Sequence, residues 1–200
     1  MSGAHGLRNR LQNVASKPNG ALTDVYLAEL STLYDAEIQA LRVLPRLRDA
    51  ARSLKLREAL ARHCDETRLH VERLQLIFTH WGGQADAGHS AGLAGIVQEA
   101  DERLNEAATD DARDAIVIGL GQRLEHYEIA GYGCARIFAR RLNRPDEARL
   151  LLETLEEEGR AARRLSEVAE SQAELDLTGA MVEVRPGSHV STPPHGDKLR

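Results

Sequence analysis

Glutamates interrupt the apolar face of every long helical pattern in this 200-residue sequence. On a helical wheel of about 100° per residue, Glu37 falls at the centre of one apolar stripe and Glu158 at the centre of another. A third apolar face contains Glu125 and Glu128. The fourth face is interrupted by three polar residues: His63, Glu66 and His70. The pattern therefore predicts that carboxylates and imidazoles from four helices meet in the middle of a bundle.

The chemistry expected of such a cluster follows from the cost of burying charge. An ionised carboxylate in an apolar interior costs roughly several kcal/mol unless a cation compensates it. Most neighbouring arginines map to outer helix faces: Arg62, Arg68, Arg103 and Arg163. Arg73 lies close enough to an inner face to compete with a metal ion. The simpler alternative, solvated or arginine-paired glutamates, therefore has to be weighed against a metal site.

The types of ligand favour particular metals. Carboxylate oxygens with one or two imidazoles suit iron or manganese better than structural zinc, which prefers a closed set of cysteine and histidine. The last long helix supplies carboxylate but no histidine. We therefore expect iron, with manganese as the alternative.

Five helices are predicted to position these residues, over about residues 23–53, 54–80, 93–107, 111–142 and 145–173. Thr23 is a good N-cap, the glycines after residue 81 end the second helix, and Pro145 fits a first helical turn. Pro45 predicts a kink near residues 41–44. The connection after the second helix is too long for an up-and-down bundle. An all-α four-helix bundle is predicted, with a long crossover that carries the short fifth helix and lets the second and third long helices run parallel.

The two ends of the chain differ from the predicted bundle at residues 23–173. Residues 1–22 are polar and contain Pro18 and several glycines, which predicts a flexible arm. Residues 174–200 contain three prolines and lose the helical period, which predicts a flexible tail.

Composition excludes several classes of protein. The hydrophobic fraction of 42% and the charged fraction of 28% are typical of a globular domain, and the net charge of −5 gives no basis for binding nucleic acid. No apolar run approaches the roughly 20 residues that span a bilayer, and the N-terminus lacks the apolar segment of a secretory signal. Cys64 and Cys134 form no disulfide pattern, so we expect reduced, buried thiols in a cytoplasmic protein.

Four segments resemble the YciE/YciF-like family of ferritin-like, rubrerythrin-related bacterial stress proteins. They are LYDAEIQALRVLPRL from residue 33, HCDETRLHVERLQLIF from residue 63, EHYEIAGYG from residue 125 and LEEEGRAARRLSEVAE from residue 155. The resemblance covers about residues 23–172. It implies a ferritin-like bundle, a cytoplasmic homodimer and a centre of two metal ions. The ligands that it implies by position are Glu37, Glu66, Glu125, Glu128 and Glu158.

This sequence departs from the ferritin-like pattern at its histidines. Di-iron proteins of that fold carry Glu-x-x-His on two helices. Here the second helix has His63 three residues before Glu66 and His70 four residues after it, so either imidazole is a candidate ligand. No histidine follows Glu158 at that spacing.

Two functions remain open at this stage. In the first, two ions bridged by Glu66 and Glu158 react with dioxygen or peroxide, and Tyr34 or Tyr132 either carries a proton or an electron or packs in the core. In the second, the chain is a non-catalytic helical dimer, with structural metal or none, that serves as a stress-associated scaffold or binding protein.

Overall fold

The structure is a computed structural model that describes residues 20–183, with side chains to residue 171. Within that part of the chain there are five helices and no strand: α1 Gly20–Ala50, α2 Leu54–His80, α3 Ala91–Glu106, α4 Asp110–Arg141 and α5 Pro145–Glu183. This confirms the all-α prediction. No helix in residues 20–183 is both long and apolar enough to cross a membrane.

Contacts at the two ends of the bundle fix the helix directions. At one end, Asp114 near the start of α4 accepts the backbone N–H groups of Arg52 (2.6 Å) and Ser53 (2.7 Å), between α1 and α2. At the other end, Glu147 in the first turn of α5 accepts the Tyr26 hydroxyl at 2.9 Å and the Trp81 indole N–H at 3.1 Å. Accordingly α1 and α5 run one way, and α2 and α4 run the other way. The parallel α2 and α4 confirm the ferritin-like four-helix bundle with a crossover.

The crossover that carries α3 is fastened to α1. The Gly88 N–H donates to the Ser31 carbonyl at 2.9 Å, and a Cβ at position 88 would meet that backbone at 3.1 Å. Asp35 accepts the Ser90 N–H at 2.7 Å, while the Ser90 hydroxyl donates to the Tyr127 hydroxyl at 2.8 Å. These bonds hold the crossover against the bundle at a defined place.

Two apolar clusters fill the interior on either side of a polar layer. One lies at the α1–α2 junction and includes Leu44, Leu47, Leu56, Leu60, Val117, Leu120, Leu124 and Leu165. The other lies towards the α2 C-terminus and includes Tyr26, Leu30, Leu33, Leu74, Ile77, Tyr132 and Leu151. The layer formed by Glu37, Glu125, Glu128 and Glu158 with His63 and His70 falls between them.

Two glycines let α4 approach its neighbours closely. A Cβ at Gly121 would lie 2.8 Å from a Leu165 methyl group on α5, and a Cβ at Gly131 would lie 2.7 Å from a Leu33 methyl group on α1. A Cβ at Gly119 or at Gly133, on the same helix, would meet nothing within 4 Å. Close approach is therefore confined to the two glycines that face α1 and α5.

The helix bounds differ from prediction mainly at the ends of α1 and α5. Helix α1 begins at Gly20 rather than Thr23, and it ends at Ala50 because Asp114 captures the next amide groups. Pro45 lies inside α1, and the kink predicted there stays a prediction. Helix α5 continues to Glu183, beyond the predicted end at residue 173, because no helix-breaking proline occurs before Pro186.

The bundle that holds the site belongs to the unit that ends at Ala169, and Glu170 begins a second unit. The predicted arm lies outside the described residues up to residue 19. The predicted tail lies outside them from residue 184 onward.

Candidate metal centre

Six of the seven predicted site residues converge between the two apolar clusters. His63, Glu125, Glu128 and Glu158 each offer a ligand atom within 4.8 Å of the others, and we call them the His63 group. Glu37, His70 and Glu158 do the same and form the His70 group. Together they are the mid-bundle cluster, and each side chain in it is at most 2% exposed. Glu158 belongs to both groups, which is the arrangement expected of a carboxylate shared by two ions.

The buried stripe of α2 explains why both histidines enter the cluster. His63, Thr67, His70 and Leu74 are all buried, at alternating spacings of four and three residues. The centre of the stripe therefore passes through Thr67, and Glu66 lies about 100° to one side of it. Glu66 instead pairs with Arg164 on α5, and its Oε2 lies 3.7 Å from His63 Nδ1. The structure places this predicted ligand outside both groups.

The cluster contains short distances that are not hydrogen bonds. His63 Nε2 lies 3.1 Å from Glu125 Oε1, and His70 Nδ1 lies 2.8 Å from Glu158 Oε1. Among the described residues, these nitrogens and both oxygens of Glu125, Glu128 and Glu158 have no hydrogen-bond partner. Buried polar groups are nearly always hydrogen-bonded. Their convergence without hydrogen bonds fits atoms arranged to surround a cation.

Neighbouring residues orient two of the candidate ligands. A hydrogen bond of 3.0 Å joins His70 Nε2 to Glu157 Oε2, and Arg73 holds Glu157 through both carboxylate oxygens. The Tyr132 hydroxyl donates to Glu37 Oε1 at 2.5 Å. Tyr132 is thus the tyrosine at the cluster, whereas Tyr34 accepts a hydrogen bond from Gln75.

Sequence reasoning missed the roles of Glu157 and Arg164. The Glu157 side chain reaches across to Arg73 and His70 on α2. The proximity of Arg73 to the inner face of its helix was the one available signal. Nothing in the helical pattern indicated that Arg164 would reach Glu66.

Burial dominates the electrostatics of the carboxylates. It raises the pKa of Glu125 and Glu128 well above the ordinary value, and neighbouring carboxylates raise both further. Burial also raises the pKa of Glu37, against an opposing effect of His70. Burial would raise the pKa of Glu158 too, but His63 and His70 outweigh it and lower that pKa.

The imidazole of His70 responds in the opposite sense to its burial. Burial lowers the pKa of His70, but Glu157, Glu158 and Glu37 outweigh that effect and raise it to about 12. Without a metal ion, His70 therefore serves as a cation inside the cluster.

The ion pairs of the structure show whether arginines compensate the buried glutamates. Among the described residues, Arg164 pairs with Glu66 and Arg73 with Glu157, whereas no arginine forms an ion pair with the four glutamates of the mid-bundle cluster. The four arginines assigned to outer faces are indeed exposed. Pairing with any arginine of the described residues is therefore excluded for these four glutamates. The remaining set of hard oxygens and two imidazoles fits iron or manganese.

The two cysteines lie in different environments. Cys64 is buried, as predicted, but Cys134 is exposed, which makes the prediction of two buried thiols wrong for the second. Neither belongs to the groups that could hold a metal ion.

Comparison with known proteins agrees with the fold and the resemblance. Residues 21–178 match the family described as "Domain of unknown function (DUF892)". Protein YciF of Escherichia coli (strain K12) is 34% identical over 149 residues, which cover 74% of this chain and 90% of that protein.

Comparison with solved structures agrees with this family and with the fold. The E. coli stress protein YciF has a TM-score of 0.73 at 33% identity, covering 76% of this chain and 97% of that one. YcfI from Rhodopseudomonas palustris, described as "a putative structural protein", has a TM-score of 0.72 at 32% identity and covers 76% and 96%. A Xanthomonas campestris protein that is 18% identical, with a TM-score of 0.63, supports the fold alone. Since the family match spans most of its length, this chain belongs to the DUF892 family of YciF-like proteins.

Proposed function

We propose that this protein binds two iron or manganese ions at the mid-bundle cluster and uses them to react with dioxygen or peroxide during stress. The observation that carries the proposal is the set of buried carboxylates that have no hydrogen-bond partner in the described part of the chain, with Glu158 shared between two groups. Such carboxylates are tolerated in an apolar interior when cations compensate them. The likeness to a protein described as a stress protein supports the biological setting.

Each group supplies the ligands for one ion. His63, Glu125 and Glu128 would hold one, Glu37 and His70 would hold the other, and Glu158 would contact both. A bound pair of ferrous or manganous ions supplies the electrons with which dioxygen or peroxide is reduced.

The protein's own residues orient the candidate ligands through hydrogen bonds, and one of these residues is an ionised carboxylate. Burial raises the pKa of Glu157, but His70 and Arg73 outweigh it and lower that pKa to about 2, so Glu157 is ionised and accepts from His70 Nε2–H. This bond directs Nδ1 of His70 toward Glu158 and Glu37, as expected for a histidine ligand backed by a carboxylate. The Tyr132 hydroxyl fixes Glu37 in the same way.

Metal content and peroxide turnover test this proposal together. Protein purified without chelator, then loaded anaerobically with ferrous ion, should hold two ions per chain and reduce one peroxide to two waters, with two protons from solvent, as both ions are oxidised to ferric. Glu37→Ala should lose the ion of the His70 group and most of the turnover. Glu156→Ala is the matched control, because Glu156 is exposed on the same helix. A wild-type chain that takes up no metal, or equal turnover in all three proteins, would contradict the proposal.

The second candidate is a non-catalytic helical homodimer with structural metal or none. The description of YcfI as a structural protein favours it. So does His70, whose raised pKa of about 12 lets an imidazolium offset part of the buried negative charge. Without metal, this candidate predicts no stoichiometric metal and an unchanged or higher melting temperature for Glu37→Ala. With structural metal, it predicts bound ions but no consumption of peroxide. Light scattering would establish the dimer that both candidates expect.

A further inference from the structure

Two arginine–glutamate pairs lie between the sealed mid-bundle cluster and solvent. Glu66 and Arg164 are each 20% exposed, and Glu157 and Arg73 are 18% and 19% exposed. The cluster behind them is at most 2% exposed. Each pair joins α2 to α5, and each carboxylate lies next to one of the two histidines. The two pairs therefore occupy comparable positions, and they differ in how firmly each arginine is held against its glutamate.

The Glu157–Arg73 pair is held by several further contacts. Arg73 donates to the Thr154 hydroxyl at 3.2 Å and lies 3.8 Å from Glu153. Glu157 also accepts from His70 at 3.0 Å. Separating Arg73 from Glu157 would disturb the hydrogen bond by which Glu157 orients His70, a candidate ligand.

The Glu66–Arg164 pair is held more loosely. In the part of the chain whose side chains are described, Nε of Arg164 is buried without a hydrogen-bond partner, and so are both ring nitrogens of His63 beside Glu66. Glu66 lies 3.7 Å from His63 Nδ1, beyond hydrogen-bonding distance. Separating Arg164 from Glu66 breaks one ion pair and leaves the hydrogen bond between Glu157 and His70 intact.

We propose that Glu66 is the loading site through which divalent cations reach the mid-bundle cluster, and that Arg164 occupies its carboxylate until a metal ion displaces the guanidinium. Exchange of one cation for another keeps the Glu66 charge compensated throughout, which avoids the cost of an unpaired, partly buried carboxylate. From Glu66, the adjacent His63 is the nearest residue of the cluster along α2.

This inference rests on the proposed function, and cobalt uptake separates the two. Metal-free full-length protein is mixed with Co²⁺, and the rate is followed by the absorbance of the bound ion, with the final stoichiometry measured at equilibrium. Glu66→Gln should slow uptake by about tenfold or more, the range attributed to electrostatic guidance, and still reach two ions per chain. Arg164→Gln should speed uptake, because the competing cation is gone. Glu72→Gln removes the same charge from an exposed position on α2 and should leave the rate unchanged.

The outcomes discriminate between the two proposals. A Glu66→Gln chain that loads at the wild-type rate overturns the loading site while leaving the metal centre in place. A Glu66→Gln chain that binds fewer than two ions at equilibrium also overturns it, because Glu66 is then a permanent ligand. A wild-type chain that binds no cobalt overturns the proposed function itself.

Discussion

Buried carboxylates occur at the ends of this bundle and at its middle. Among the described residues, those at the ends accept hydrogen bonds from protein donors, whereas at the middle only Glu37 does, from the Tyr132 hydroxyl. Asp114 is 4% exposed and receives two backbone N–H groups, at 2.6 and 2.7 Å. Glu147 is 2% exposed and accepts from Tyr26 and Trp81. At the middle, both oxygens of Glu125 and of Glu128 lack any hydrogen-bond partner among the described residues.

This contrast separates two uses of a buried acid. Where a carboxylate joins helices, the fold provides donors, and the acid contributes to stability. Where it is left without donors in an apolar interior, it lowers the stability of the metal-free fold and is explained by a ligand. The same chemical group should therefore respond with opposite sign to removal at the two places.

The largest expected effect comes from the residue shared by both groups. Glu158→Met removes a ligand from each ion, so we expect the loss of both ions and of the stability that they provide. A ligand present at about 1,000 times its Kd adds roughly 4 kcal/mol per site. Metal analysis and thermal unfolding, each with and without chelator, measure this loss. Retention of two ions by the variant would show that Glu158 is not shared.

The next effect is expected at the end of the bundle. Asp114→Ala leaves the amide groups of Arg52 and Ser53 without their acceptor, and we expect a loss of about 2–4 kcal/mol in unfolding free energy. Asp111→Ala is the control, because Asp111 is an exposed acid in the first turn of α4, just before Asp114. Urea unfolding in chelator measures both. Equal destabilisation by the two variants would show that Asp114 does not stabilise the fold through these two amide groups.

Replacing a buried glutamate by methionine, once at the middle of the bundle and once at its end, tests the difference between the two regions most directly. In metal-free protein, Glu128→Met replaces a desolvated acid by an apolar side chain of similar length, and stability should rise by about 1–3 kcal/mol. Glu147→Met removes the acceptor of Tyr26 and Trp81, and stability should fall by about 1–3 kcal/mol. Urea unfolding of the two variants in chelator gives the signs. If both variants are less stable than wild type, the middle and the ends of the bundle do not differ as proposed.

The sequence predicts which helix faces turn inward, because periodicity reports the direction of each Cβ. That was sufficient for the fold and for the burial of four of the five glutamates and of both histidines. It failed at Glu66, where the buried stripe passes through Thr67 instead. It also missed Glu157 and Arg164, since a wheel does not give the reach of a long side chain toward another helix. The buried state of Glu147 depends on Tyr26, 121 residues away in sequence, which no local pattern contains.

The smallest expected effect is a pH dependence confined to metal-free protein. Burial raises the pKa of Glu125 and Glu128 above the ordinary 4.5, so the folded chain keeps protons that the unfolded chain releases. Stability of the metal-free chain should therefore fall as pH rises above about 4.5, by no more than about 1.4 kcal/mol per pH unit for each retained proton. His70, with its pKa raised to about 12 from 6.5, acts in the same direction above pH 6.5.

Metal binding should reverse this trend, because ions replace the protons and bind more tightly as the carboxylates ionise. The lowered pKa of Glu157, about 2, gives stability that is complete above pH 4.5, so it does not oppose the fall. Urea unfolding between about pH 5 and pH 8, with chelator and with saturating metal, measures both slopes. Glu128→Met should flatten the metal-free slope, since one proton-retaining group is gone. A metal-free slope that rises with pH would mean that these acids are ionised in the folded chain and compensated by something other than a metal ion.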